Sequence, residues 1–254
     1  MTTARIAALF RHPIKGFTPE KVRSATLEPG KPFPGDRLYA LGDGPSGFDP
    51  ARPSFIPKQR FAVLAKIAEV AKAKTRLDDT TGAFHARAEG MADFSGDLRE
   101  PAGRAAFEAW TTELLGDAAG GPLRLLDGVG HRFLDHPLGH VSIINLASVR
   151  DLETRLGKAL DPLRFRANLY IDGWPAWAEN GWEGLRLTLG EAEAEVFKPI
   201  VRCAAPGVDP ETALRDLDIP AEMHRLYGHM LCGIYVHVKT AGVVREGDTA
   251  HPPP

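Results

Sequence analysis

Cysteine is scarce in this chain: Cys203 and Cys232 are the two in 254 residues. Two unpatterned cysteines exclude a disulfide framework and a Cys-rich zinc site, and they fit a reducing compartment, so the cytoplasm is the expected location. An excess of charge of one sign is also missing. The formal net charge is −2 and no block of like charges occurs, so general electrostatic binding to nucleic acid or to an anionic membrane is not expected. Long apolar runs are absent too. The patch Ile6–Phe10 ends at Arg11, too short for a signal peptide, and no later stretch approaches a membrane span. The chain lacks a plant-type ferredoxin cysteine motif and a dinucleotide fingerprint, so it is expected to hold no iron–sulfur cluster of its own.

The composition that remains is ordinary for a globular protein: 43% hydrophobic and 25% charged, enough core for one large domain or two smaller ones. Strands are expected at Ala4–Phe10, Val22–Leu27 and Leu38–Leu41, followed by a loop over 42–53 rich in Gly, Pro, Ser and Asp. A short helix is expected over Phe61–Val70, and a hairpin joins Lys74–Asp78 to Ala83–Ala88. Helical spacing returns over Glu100–Leu115, with Phe107 and Trp110 on one face and Gly116 as a stop, and again over Ala147–Leu156. Further strands fall at Asn168–Ile171, Leu185–Leu189, Ala194–Phe197 (stopped by Pro199) and Ile234–Lys239, with a short helix at Ala221–Tyr227. The fold class is therefore α+β and strand-dominated, without the regular alternation of a doubly wound sheet.

The chemistry centres on Arg202-Cys203. A guanidinium beside a thiol favours the thiolate, the form that attacks substrates and binds soft metals, although a free Cys also serves as a small core hydrophobe. Cys232 lies in the apolar run Met230–Tyr235 and reads as inert. Three basic groups accompany strand ends: Pro13-Ile14-Lys15-Gly16, Pro34-Gly35-Asp36-Arg37 and Arg164-Phe165-Arg166-Ala167-Asn168. Singly each is a surface loop charge; together with Arg202-Cys203 they outline a site for an anionic, sulfur-compatible ligand. Asp209-Pro210 reads as a turn or helix cap. His131, His136 and His140, and His224 with His229, do not form the His-Glu-x-x-His motif of a zinc protease, so a histidine metal site is not expected.

In their order, these motifs, together with Val208-Asp209-Pro210, Gly233-Ile234-Tyr235 and Gly247-Asp248, resemble the MOSC family, proteins related to the C-terminal domain of molybdenum cofactor sulfurase. They resemble the branch with an N-terminal β-barrel domain, which includes the mitochondrial amidoxime-reducing components and their bacterial relatives. The resemblance runs from about Arg5 to Asp248. It implies a β-barrel-like domain over 1–96, a MOSC β-barrel domain over 97–250 and a disordered tail over 251–254. It also implies a molybdenum cofactor of the molybdopterin type, with Cys203 as metal ligand, Lys15, Arg37, Arg166, Asn168 and Arg202 around the cofactor, and Cys203 with Arg202 at the reacting centre. The implied activity is reduction of N-hydroxylated small molecules by oxygen transfer to the metal, with electrons from a separate donor protein. The alternative is a carrier that uses Cys203 to hold the cofactor or a sulfur atom and hand it on; a thiol enzyme pairing Cys203 with a histidine is a third. Two positions depart from the family pattern: Gly16 stands where Ser is usual, and Ala204-Ala205-Pro206-Gly207 follows the cysteine where a Thr is usual.

Overall fold

The computed structural model describes residues 3–253. Its first half contains β1 (Arg5–Arg11), β2 (Ile14–Lys15), β3 (Glu20–Val22), β4 (Ser24–Leu27) and β5 (Tyr39–Asp43), then a meander of β6 (Lys74–Leu77), β7 (Ala83–Arg87) and β8 (Phe94–Asp97). Helix α1 (Pro101–Leu115) and β9 (Leu123–Asp127) follow. The second half runs β10 (Val141–Asn145), α2 (Leu146–Leu156), β11 (Leu169–Asp172), β12 (Arg186–Leu189), β13 (Ala192–Val201), α3 (Ile219–Tyr227), β14 (Leu231–Thr240), β15 (Gly242–Arg245) and β16 (Ala250–His251). The strand-dominated α+β class holds.

The main sheet has the order β16-β12-β13-β14-β10-β11-β1-β3. Its one parallel pair is β10 with β11, because α2 carries the chain back between them. The Asn145 side chain starts α2 by accepting a bond from the Ala147 amide at 3.0 Å, and Gly157 ends it in the left-handed region. Alternation along the strands feeds two cores. Ile143 and Ile234 join the cluster on one face; Ile144 and Cys232 pack on the other with Val149, Leu152 and Met223 from α2 and α3.

A separate core lies under the first half. Phe107 of α1 sits among Phe17, Phe84, Phe94 and Trp110, with ring centroids 5.3–6.0 Å away. Residues 97–127, placed by the sequence reading in the second domain, pack here: α1 fills this cluster and β9 pairs with β5. Conversely β1 and β3 extend the main sheet, and β4 pairs with β15.

Three expectations change. Phe61–Val70 is not a helix: Phe61, Ala62, Val63 and Leu64 are buried in succession, the Ala62 amide bonds the Leu41 carbonyl, and only a 3-10 turn at Ala68–Lys72 follows. Pro199 does not stop its strand, because β13 shifts register on either side of it and absorbs the missing N–H in an irregularity. His251, expected to open the disordered tail, pairs with Thr188 in β16, while Pro254 lies outside the described residues.

Phe107→Ala should destabilise the fold by about 3–5 kcal/mol, because it empties the centre of an aromatic cluster. Urea unfolding midpoints of wild type and variant check this; a loss under about 1 kcal/mol would show that the cluster does not support the first half.

Candidate functional site

The elements bring Lys15, Arg37, Arg166, Asn168, Arg202 and Cys203 to one cleft, while Cys232, Asp209 and the histidines named by sequence lie outside it. Arg37, Arg166, Asn168, Arg202 and Cys203 line a cavity of about 80 Å³. A second cavity of about 50 Å³ is lined by Lys15 and Gly16 and shares Arg37, Lys58, Asp135, Arg166, Cys203 and Ala205 with the first. The cleft is asymmetric in charge. The lining carries Lys15, Arg37, Lys58, Arg164, Arg166 and Arg202 against two carboxylates, Asp36 and Asp135; with Arg164 paired to Asp209 and Asp216, the other five leave an excess of three positive charges in a partly enclosed space. Such a cleft concentrates field lines and favours a polyanion.

The wall supplied by the first half is a buried node. Asp36 accepts the His12 amide at 2.7 Å and bonds the Arg37 guanidinium, and Arg37 Nη1 lies 2.9 Å from His12 Nδ1. A guanidinium only donates, so His12 Nδ1 accepts and the ring is neutral. Burial and the charges of Arg37 and Arg166 push the His12 pKa down to about 3. Asp36 is held near 2: burial raises it, and the charge and hydrogen bond of Arg37 outweigh that. Both Arg37 (φ 47°) and Arg166 (φ 55°) adopt the left-handed region that side chains avoid, so the fold holds them there at about 1–3 kcal/mol each.

The second half contributes the remaining groups. Arg166 Nη2 is sealed from water and without an acceptor among the described residues, and burial with the nearby Arg37 charge lowers its pKa to about 10. Asn168 braces the sheet: its Oδ1 accepts from Ser142 N and Oγ at 3.0 and 2.9 Å, and its Nδ2 donates to the Phe10 carbonyl at 3.3 Å. The Arg202 nitrogens donate to the Phe165 and Cys232 carbonyls, so its guanidinium is pinned to backbone rather than spent on a carboxylate. The Cys203 thiol is half-buried. The loop after it is fixed from below by Arg164, which reaches Asp209 at 2.7 Å, Asp216 at 2.8 Å and the Pro206 carbonyl at 3.3 Å. Asp209 also accepts the Glu211 and Thr212 amides at 2.9 Å, the turn expected of it.

Some residues of the cleft carried no sequence signal. Lys58 sits beyond the Gly- and Pro-rich loop, and Asp135 lies in an irregular stretch between β9 and β10. Tyr235 stood in the Gly-Ile-Tyr motif, and burial and the Asp135 charge push its phenol up to about 12. Gly139 lets that loop lie on the Tyr235 ring, since a Cβ there would stand 2.9 Å from it.

Two family descriptions match consecutive parts of the chain: "MOSC N-terminal beta barrel domain" over residues 3–123 and "MOSC domain" over 131–251. The chain belongs to the MOSC-domain proteins. Among curated relatives, mitochondrial amidoxime-reducing component 1 of Homo sapiens is 30% identical over 121 residues, covering 43% of this chain and 35% of that protein. Mitochondrial amidoxime reducing component 2 of Rattus norvegicus is 30% identical over 123 residues, covering 44% and 36%. The matched segment thus spans about a third of the length of these relatives. The solved structure of the YUAD protein from Bacillus subtilis aligns over 98% of this chain and 94% of that one, with 14% identity and a TM-score of 0.47. Among the described residues, no helix is long and apolar enough to cross a membrane.

The departure of this MOSC chain at Gly16 has a local cause. Its φ is +91°, and a Cβ would stand 2.9 Å from Val63 Cα and 3.0 Å from the Ala62 carbonyl, so glycine lets Lys15 enter the cleft beneath that backbone.

The buried neutral His12 sets a pH dependence. Its folded pKa lies below the ordinary value of 6.5, so the unfolded chain takes up the proton first on acidification. Its contribution is complete above about pH 6.5 and declines as pH falls toward 3. His12→Gln should flatten the fall in unfolding free energy between pH 7 and pH 4.5; equal slopes in urea titrations of both proteins would contradict the neutral assignment.

Proposed function

We propose that this chain binds a molybdenum cofactor of the molybdopterin type and acts as an oxidoreductase on N-hydroxylated small molecules. The observation that carries the reading is a coincidence of position: Cys203 lines both cavities with Arg166, a half-buried arginine whose Nη2 is sealed from water and has no acceptor among the described residues. Leaving a buried charged donor unsatisfied costs about 1–3 kcal/mol or more, and an anionic ligand removes that cost. The donor set fits the cofactor. Lys15, Arg37 and Arg166 suit a phosphate, and a thiolate suits a metal already held by sulfur. Kinship with proteins named amidoxime-reducing components supports the substrate class.

When bound, the cofactor supplies a two-electron metal centre able to take the oxygen of an N-hydroxyl group, with electrons delivered by a separate redox protein. The chain's own residues bind and orient. Cys203 would ligate the metal. Arg202, clamped by the Phe165 and Cys232 carbonyls, keeps a fixed positive charge beside that position without reorganising. The Tyr235 hydroxyl stays protonated at neutral pH and faces the cleft as a neutral donor. Asn168 would act on the ligand through the strand ends it braces, since Ser142 and Phe10 already engage its side chain.

Protein from a host that makes the cofactor should contain near-stoichiometric molybdenum and pterin fluorescence, with molybdenum falling sharply in Cys203→Ala. Wild type supplied with a chemical reductant should then turn over N-hydroxylated amidines. Cofactor binding without turnover would favour the carrier reading; absence of both metal and pterin from wild type would sink both cofactor readings.

A further inference from the structure

The carboxylate of Asp135 occupies a place built for a different anion. Its side chain is 45% exposed to the cleft, yet its Oδ1 lies 2.6 Å from Lys15 Nζ, which is itself buried. Lys15 also donates to the Phe133 carbonyl at 3.0 Å, which leaves one N–H of the ammonium uncommitted. The charges of Lys15, Arg37 and Lys58 hold the Asp135 carboxyl well below the usual carboxylate range, outweighing the partial desolvation that raises it. Lys58 lines both cavities and has no hydrogen-bond or ion-pair acceptor among the described residues. Arg166 is likewise without one at Nη2. One monoanion therefore answers a group of cations, three of which carry unspent donors.

Asp135 is exposed on a segment that is otherwise anchored, so its carboxylate can leave Lys15 by side-chain rotation. The segment joins β9 to β10 over residues 128–140 without regular secondary structure, with Gly130 and Gly139 on either side of Asp135. Phe133 and Leu134 are buried, and the attachments include the Phe133 amide on the Arg37 carbonyl at 3.0 Å, Lys15 Nζ on the Phe133 carbonyl at 3.0 Å, the Phe33 amide on the His140 carbonyl at 3.0 Å and His237 Nε2 on the Leu138 carbonyl at 2.9 Å.

We propose that Lys58 joins Lys15, Arg37 and Arg166 in seating a phosphate monoester dianion, and that Asp135 is the built-in place-holder that this phosphate displaces. A dianion with three terminal oxygens satisfies the free donors of Lys58 and Arg166 as well as the Lys15 ammonium, which a single carboxylate does not. Asp135 then acts as an intramolecular competitor: it keeps Lys15 paired in the ligand-free chain and lowers apparent phosphate affinity by the fraction of time it holds the seat. The phosphate group belongs to the cofactor on the reading above, so this inference rests on that reading for the identity of the ligand.

The test is binding of inorganic phosphate to cofactor-free protein by isothermal titration, in wild type, Asp135→Asn and Lys58→Ala. Asp135→Asn keeps the shape and removes the charge, and should tighten binding by about tenfold or more, whereas Lys58→Ala should weaken it several-fold. Unchanged or weaker binding in Asp135→Asn would overturn the place-holder role; unchanged binding in Lys58→Ala would remove Lys58 from the seat. Should either variant fail to fold, wild type serves: phosphate should speed amide hydrogen exchange across Phe133–Gly139, and slower or unaltered exchange there would overturn displacement. Cofactor-loaded protein separates the two inferences. Phosphate binding that survives loading would overturn assignment of the seat to the cofactor. An intact Asp135→Asn effect in a chain that never takes up molybdenum or pterin would overturn the redox reading and leave the seat standing.

Discussion

Mutual repulsion among cations is the constraint on which this structure depends. Besides Arg164, which Asp209 and Asp216 compensate, five positive side chains converge on one cleft with two carboxylates to offset them, in surroundings where charge interactions are far stronger than in water. Nothing in local propensity favours that arrangement. The eight-stranded sheet, the separate core under the first half and the buried Asp36–His12–Arg37 node supply the stability that keeps these charges together. The left-handed backbone at Arg37 and Arg166 belongs to the same account: of the four non-glycine residues with positive φ among the described residues, these two line the cleft.

The arginines divide by what they touch, and the division explains their roles. Arg164 is buried and bonded to Asp209 and Asp216, so it fixes the loop after Cys203 and has no charge to spare. Arg37 is half-committed through Asp36. Arg202 meets only carbonyl dipoles and Arg166 Nη2 meets nothing, so these two carry the free charge of the site. A sequence displays these four residues as equivalent basic positions. Their partners come from distant segments, and the partner determines whether an arginine builds or binds.

The cysteines show the same lesson in smaller compass. Adjacency of Arg202 to Cys203 suggested direct electrostatic activation of that thiol. In the folded chain the guanidinium turns to the carbonyl of the other cysteine, Cys232, whose own thiol is buried and pushed up to about 12. Cys203 owes its place in the site to the end of β13 and the brace beneath its loop.

Short-range chemistry was readable in the sequence alone: the helical spacing of α2, the aromatic face of α1, the longer strands and the motifs that mark the MOSC family. These depend on residues a few positions apart, or on a pattern kept within a family. The strand at Val141–Asn145 escaped notice, and so did the continuation of β13 past Pro199, because pairing with β14 on the same sheet supports both. Lys58 and Asp135 escaped for the same reason: lone charged residues in irregular segments acquire meaning only from what faces them. Tertiary structure alone decided which cations remain unpaired, because charge compensation acts through space and takes no account of separation along the chain.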